Sequence, residues 1–388
     1  MNNTYKSLFL LDPKITYLNH GSFGACPKPI FDSLISWQKK LELNPTKHLA
    51  FDIFKYLENS REHLSKYINC NKDDIVFFPN PSTALNTVIK SLKLKPGDEI
   101  LTTNHEYGAL DKTWNFVCKK TGAKYIKQNI KLPLQSKKDF INAFINGINR
   151  QTKIIFISHI TSSTGLIFPV EDICEIAKEN NILCIIDGAH VPGHINLDIK
   201  QLDPDIYTGA CHKWMCAPKG TSFLYAKKEI QDFIEPLVIS WGYDNDEPID
   251  LLSGMSSYSK YLNYHQWQGT QDPSSYLTIP DVINFLTQNN WNKVSDDCRK
   301  LNIEARKMVN NYLNQEAISS DEFIGQMSSI KIRCKNTFEL QRIFYENYKI
   351  ITLLPGYHKP KFYKSVLTYI GDDYWKEMSW SDFTKVNY

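Results

Sequence analysis

No stretch of this chain is apolar over anything near the ~18 residues that cross a bilayer; the hydrophobic runs around Ile154 and Ile182 are strand-length. The apolar opening from Leu8 to Leu11 is cut by Asp12-Pro13, too short for a signal-peptide core, so no export leader or membrane anchor is expected. A surplus of one charge is also missing. Lys and Arg number 45 against 42 Asp and Glu, a formal net charge of +3, and basic blocks stop at pairs such as Lys39-Lys40 and Lys137-Lys138. Nucleic acid and membrane surfaces are therefore not expected partners. There is no Cys-x-x-Cys and no His-Glu-x-x-His, and the nine cysteines form no regular framework. Free thiols in a reducing compartment follow, hence a cytoplasmic location, and no metal site.

What is present is alternation. From about Asp73 to Lys228, short β-branched or aromatic runs alternate with turns and helical stretches. Strands are expected at 75–78, 99–103, 124–128, 153–158, 183–186, 206–208 and 222–225, with helices such as 83–92 and 170–180, the latter opened by Pro169 in its first turn. The pattern predicts an α/β fold with a mostly parallel seven-stranded sheet and helices on both faces. The flanks differ: helices at 29–43 and 51–67 precede it, and a helix after Trp291, a strand at 328–334, a helix from Phe338 and a strand near 349–353 follow. At about 150 residues per domain, 388 residues allow two or three. The reading is an N-terminal segment, 1–70, packing on a small domain and lining a cleft entrance; a large domain, 71–290; and a small α+β domain, 291–388.

Ligands of open parallel sheets sit beyond the carboxyl ends of strands, and three loops there carry unusual residues. Asn80-Pro81-Ser82-Thr83 leads into a helix, where a hydroxyl serves as a cap or, with the unpaired N–H groups, as an anion site. Asp187-Gly188-Ala189-His190 ends an apolar run in a carboxylate, which is either solvated or able to keep a ring nitrogen protonated. His190 and His194 are four apart, but Pro192-Gly193 between them rules out a shared helical face and a metal pair. Thr208-Gly209-Ala210-Cys211-His212-Lys213-Trp214 places a lysine among small and aromatic residues, where desolvation makes an amine nucleophilic. An amine for an aldehyde, a carboxylate for a pyridine nitrogen and a phosphate cradle are the needs of pyridoxal 5′-phosphate, PLP.

These residues, with Tyr17-Leu18-Asn19-His20-Gly21-Ser22-Phe23-Gly24, Thr102-Thr103-Asn104-His105-Glu106-Tyr107-Gly108-Ala109, Ser158-His159-Ile160-Thr161-Ser162 and Trp267-Gln268-Gly269-Thr270, resemble the class V aminotransferase group of fold type I PLP enzymes. The nearest likeness is to its isopenicillin N epimerase-like branch, which includes hercynylcysteine sulfoxide lyases. The resemblance implies a PLP-binding domain at 71–290. It implies that Lys213 forms a Schiff base with the cofactor and shuttles protons, that Asp187 pairs with the pyridinium nitrogen, and that His190 meets the phenolic oxygen where relatives often have Gln. Ser82, Thr83 and His212 would bind the phosphate, with Thr208 nearby in the cofactor site. Thr270 would reach the phosphate of a second subunit, in a homodimer. Either His105 or Tyr107 would stack on the ring, with His105 favoured and Tyr107 the alternative and a candidate acid. Asn19 and His20 either line the substrate cleft or form a structural turn.

The chain departs from the group where the substrate carboxylate is held. No Arg follows Arg342, and the matching segment reads Lys364-Ser365-Val366-Leu367-Thr368-Tyr369. Lys364, and Lys47 where relatives tend to have Arg, supply point charges instead of a bidentate fork. No Cys lies in 353–364, which argues against persulfide chemistry like that of cysteine desulfurases. The expected activity is labilisation of a bond at Cα of an amino-acid-like substrate, as an epimerase or C–S β-lyase. The alternatives are an aminotransferase or a decarboxylative or ring-forming enzyme acting on a substrate without an ordinary free carboxylate, and a PLP-binding regulator without turnover.

Overall fold

A computed structural model describes residues 5–243, 259–332 and 336–352, together with the backbone of 363–368. Seven strands form the central sheet: β1 Ile75–Phe78, β2 Glu99–Thr103, β3 Lys124–Gln128, β4 Thr152–Ser158, β5 Leu183–Gly188, β6 Ile206–Ala210 and β7 Ser222–Ala226. Their spatial order is β1-β7-β6-β5-β4-β2-β3. The pairs β3–β2, β2–β4, β4–β5 and β5–β6 are parallel, and β7 runs antiparallel to both its neighbours. The fold is the mostly parallel α/β arrangement expected from the sequence.

The side-chain period of a strand divides the apolar residues between two cores. Ile155, Ile157, Ile186, Tyr207 and Phe223 face one, while Ile154, Phe156, Ile185, Ile206 and Leu224 face the other. Both faces are covered, so the inner strands are apolar throughout. The edge strand β3, with Lys124 and Lys127, is half-exposed and charged, which blunts edge pairing. Helix α1 spans Lys28–Leu43, α2 Ile53–Ile68, α3 Pro81–Ser91, α4 Gly108–Thr121, α5 Lys137–Ile145 and α6 Val170–Glu179. In α6, Val170, Ile173, Cys174 and Ala177 recur at helical spacing and are buried against the first core. Pro169 sits one position before the first turn, at its cap. Helices α3 and α4 pack Leu85, Val88, Leu110 and Trp114 into the second core.

Beyond α7, Ile279–Gln288, come α8, Trp291–Tyr312, strand β8, Met327–Ile332, helix α9, Thr337–Tyr348, and strand β9, Tyr363–Thr368. Strand β9 pairs antiparallel with β8. The N-terminal segment divides its packing. Thr16–Tyr17 pairs in parallel with Ile350–Ile351, whereas Leu57 and Leu64 of α2 join Val282 and Phe285 of α7 in the first core. The first strand of 1–70 thus pairs with the C-terminal part of the chain, while α2 packs on α7. Among the described residues no helix is long and apolar enough to cross a membrane.

Candidate active site

The register of the parallel strands brings their carboxyl ends level: Ser158 lies opposite Asp187, and Asp187 opposite Thr208. The loops that follow close around a cavity of about 1020 Å³. Asn80, Pro81, Ser82, Glu106, Tyr107, Asp187, His190, His212 and Lys213 line it from the loops at the sheet's carboxyl edge. Gly21, Ser22 and Phe23 of the N-terminal segment and Phe338 and Gln341 of α9 complete the wall.

Lys213 sits in the turn between β6 and β7. Because β7 is antiparallel to β6, the connection needs no crossover helix and folds back on itself. The backbone N–H groups of Cys211 and His212 both donate to the Thr221 carbonyl. Glycines from two other loops press on this turn. A Cβ at Gly24 would lie 2.1 Å from the Lys213 carbonyl oxygen, and one at Gly193, where φ is +77°, 2.5 Å from the Met215 nitrogen. The Lys213 Nζ lies 3.2 Å from His190 Nε2. Burial lowers its pKa to about 8, against a smaller upward pull from Asp187, so roughly a tenth of the amine is neutral at pH 7.

Asp187 is 4% exposed and accepts a hydrogen bond at Oδ1 from the Ala189 N–H, 2.9 Å away. Burial raises its pKa, opposed by that N–H and by the Lys213 charge. His190, equally buried, accepts at Nδ1 from the Trp214 indole N–H at 3.4 Å. Burial, Lys213 and His194 push its pKa well down, so the ring is neutral. His212 donates from Nδ1 to the Thr221 carbonyl at 2.8 Å, and burial lowers its pKa to about 4.

At the start of α3 the cap is Asn80, not Ser82 or Thr83. The Asn80 side chain accepts from the Thr83 N–H at 2.8 Å and from its hydroxyl at 3.0 Å. Thr83 is thereby spent on the cap and does not line the cavity, while Ser82 does, next to first-turn N–H groups without helical partners.

The structure moves several expected residues away from the cavity. The His105 ring packs edge-on against Phe168, bonds the Ile130 carbonyl through Nε2 at 2.9 Å and meets Thr164 at Nδ1, and it does not line the wall. Tyr107 does, and is 38% exposed. Of the two residues expected to stack, Tyr107 therefore borders the cavity and His105 does not. The Thr208 hydroxyl is consumed inside the sheet by the Phe223 carbonyl, 2.6 Å away. Asn19 and His20 are buried behind the wall that Gly21, Ser22 and Phe23 present; the His20 ring lies between Phe9 and Tyr17 and accepts the Ala25 N–H. Lys47 is exposed and paired with Asp52, outside the cavity lining. Thr270 is exposed and does not line the cavity of its own chain. Lys364 lies on β9 opposite Lys331, with its side chain outside the described ones.

Glu106 was missed in the sequence except as part of a motif. It is 6% exposed, lines the cavity, and accepts from the Thr103 hydroxyl at 2.6 Å and from the Ser158 N–H and hydroxyl at 2.9 and 2.6 Å. Burial outweighs these bonds and, with the Asp187 charge, raises its pKa to about 7. A conspicuous signal was available, a carboxylate just past a strand end, but nothing local told that its donors come from two strands. Among the described residues no arginine lines the cavity. Arg61 binds Gln266 and the Lys72 carbonyl, Arg299 the Ile324 and Asp321 carbonyls, Arg306 Asp321, and Arg342 Glu339 and Glu346.

Comparison with known proteins gives a match to the Aminotransferase class-V family model over residues 23–352. The chain is 30% identical to isopenicillin N epimerase of Amycolatopsis lactamdurans over 316 residues, covering 80% of this chain and 78% of that one. It is 24% identical to hercynylcysteine sulfoxide lyase of Schizosaccharomyces pombe over 377 residues, 93% and 92% of the two chains. Its fold is similar to that of a C-DES variant with glycine covalently linked to the PLP cofactor, at a TM-score of 0.78 and 17% identity over 98% of both chains.

Proposed function

The chain belongs to the aminotransferase class-V family and is a PLP-dependent enzyme, and from that premise we propose that it is a C–S β-lyase acting on an amino-acid-like, sulfur-substituted substrate. The observation that carries the site is the convergence, in one cavity, of a buried lysine with a lowered pKa, a buried carboxylate and a helix N-terminus. Bound PLP supplies an aldehyde for covalent capture of amines and a protonated ring that accepts electrons from Cα.

Lys213 would hold the cofactor through its amine and, once displaced by substrate, serve as the base at Cα. Asp187, with Oδ1 held by Ala189, would direct its carboxylate at the ring nitrogen. His190 would face the phenolic oxygen. Ser82, His212 and the first turn of α3 would hold the phosphate. A phosphate dianion beside His212 would favour the imidazolium and so draw a proton into the site. Tyr107 would lie against the ring. Thr270 fits a role in a second copy of the chain, because it faces solvent in its own; on this reading the enzyme is a cytoplasmic homodimer, with residues 71–290 holding the cofactor.

Elimination needs one base, and Lys213 supplies it. Epimerisation needs a second proton donor on the opposite face of Cα, for which Tyr107 is the candidate in the cavity. With no arginine among the described residues that line the cavity, the substrate carboxylate would rest on neutral donors or on a lysine. Mixing the PLP-loaded protein with S-substituted cysteines tests the reading: release of thiol with pyruvate and ammonia supports it. Exchange of the Cα hydrogen with deuterated solvent without thiol release would instead assign the epimerase. A protein that forms no visible cofactor band with PLP would defeat both.

A further inference from the structure

We infer that Trp214 is a positioning residue whose indole N–H fixes the tautomer of His190, turning the Nε2–H of His190 toward Lys213 and the cofactor. The inference rests on the roles given above to Lys213 and His190.

An indole nitrogen has one proton to donate and nothing with which to accept. Trp214 Nε1 lies 3.4 Å from His190 Nδ1, so that ring nitrogen must be the acceptor and carries no proton. A neutral imidazole then has its proton on Nε2, the atom 3.2 Å from the Lys213 Nζ. The Nε2–H can donate only if Nζ offers a lone pair, so the contact favours the free amine over the ammonium. An ammonium would oppose hydrogen to hydrogen. The surroundings act in the same direction: burial, Lys213 and His194 keep His190 neutral, and burial draws Lys213 toward the free amine against a smaller opposing pull from Asp187.

Trp214 is held for this task. It is 3% exposed, and its ring lies tilted against that of His194, with centroids 4.4 Å apart; His194 Nε2 accepts the Gln326 N–H at 2.6 Å. The chain Gln326, His194, Trp214, His190, Lys213 therefore runs without a break to the reactive amine. Unlike an amide, which has no tautomer to choose, a histidine at this position needs a partner at Nδ1 to hold the proton on Nε2.

The test uses the cofactor-free protein labelled with ¹⁵N-histidine. Two-bond ¹H–¹⁵N correlation spectra should show His190, identified by its loss in His190→Gln, with Nδ1 unprotonated and Nε2 protonated. A protonated Nδ1 overturns the inference without any variant having to fold. Trp214→Phe should yield mixed tautomers and slow the appearance of the visible band on adding PLP about tenfold at pH 7, with recovery above pH 9 as Lys213 deprotonates unaided. In a His190→Gln background the same substitution should change that rate less than twofold. Equal slowing in both backgrounds would show that Trp214 acts through packing alone. If the expected tautomer is found but wild-type protein forms no band, the tautomer assignment stands and the proposed function falls.

Discussion

Lysine 213 is the residue on which burial acts most usefully. Its ammonium is disfavoured in the folded state, where its pKa is about 8 instead of 10.5. Below pH 8 both folded and unfolded states hold the proton; between 8 and 10.5 only the unfolded state does, so stability from this group rises with pH across that window. Lys213→Met should accordingly be more stable than wild type at pH 7, with the difference closing by pH 10.5 in urea titrations. The same substitution should abolish the visible cofactor band and lower turnover at least about a thousandfold. Glu106 has the opposite sign. Its pKa is raised from 4.5 to about 7, so between those values the folded state holds a proton that the unfolded state has lost, and stability falls as pH rises. Glu106→Gln should remove that fall, seen by comparing unfolding at pH 5 and pH 7.5. The placement of Lys213 and Asp187 was legible in the sequence because each follows an apolar strand in a recognisable motif. The choice between His105 and Tyr107 was not, because two residues of one loop differ only in which way the chain turns. His105 turns inward because the Ile130 carbonyl and Phe168 receive it there.

At the scale of elements, the sheet was legible strand by strand, since inner strands buried on both faces leave continuous apolar runs. What pattern could not supply was the wall made by distant pieces. Ser22, Phe23, Phe338 and Gln341 reach the cavity through tertiary packing, and no local period marks them. The cap of α3 shows the same limit, as several residues there qualify as caps and only geometry selects Asn80. Asn80→Ala should cost about 1 kcal/mol in stability and weaken PLP retention several-fold, measured by dialysis, because Ser82 and the first turn lose their anchor. Gly24→Ala should act on the opposite side of the site. Its methyl would collide with the Lys213 backbone, so the lysine turn must shift, at a cost of about 1–3 kcal/mol. Its expected signature is a protein that folds but forms the cofactor band slowly or weakly.

At the scale of the molecule, assembly and the cavity are linked if Thr270 serves a second copy. Sedimentation should show a dimer, and Thr270→Ala should weaken PLP retention about tenfold without changing the pH dependence set by Lys213. A monomer that retains the cofactor as tightly as wild type would remove that link. One further consequence follows from the pairing of Thr16–Tyr17 with Ile350–Ile351. The segment that builds the Gly21–Phe23 wall begins just after this pair, yet its partner strand is made some 330 residues later. During synthesis the sheet and its lysine turn can form as they emerge, whereas the strand pair that leads into the wall is complete only once residues 350–351 have been made. A chain truncated before Ile350 is accordingly expected to retain PLP more weakly than the full chain when both are dialysed.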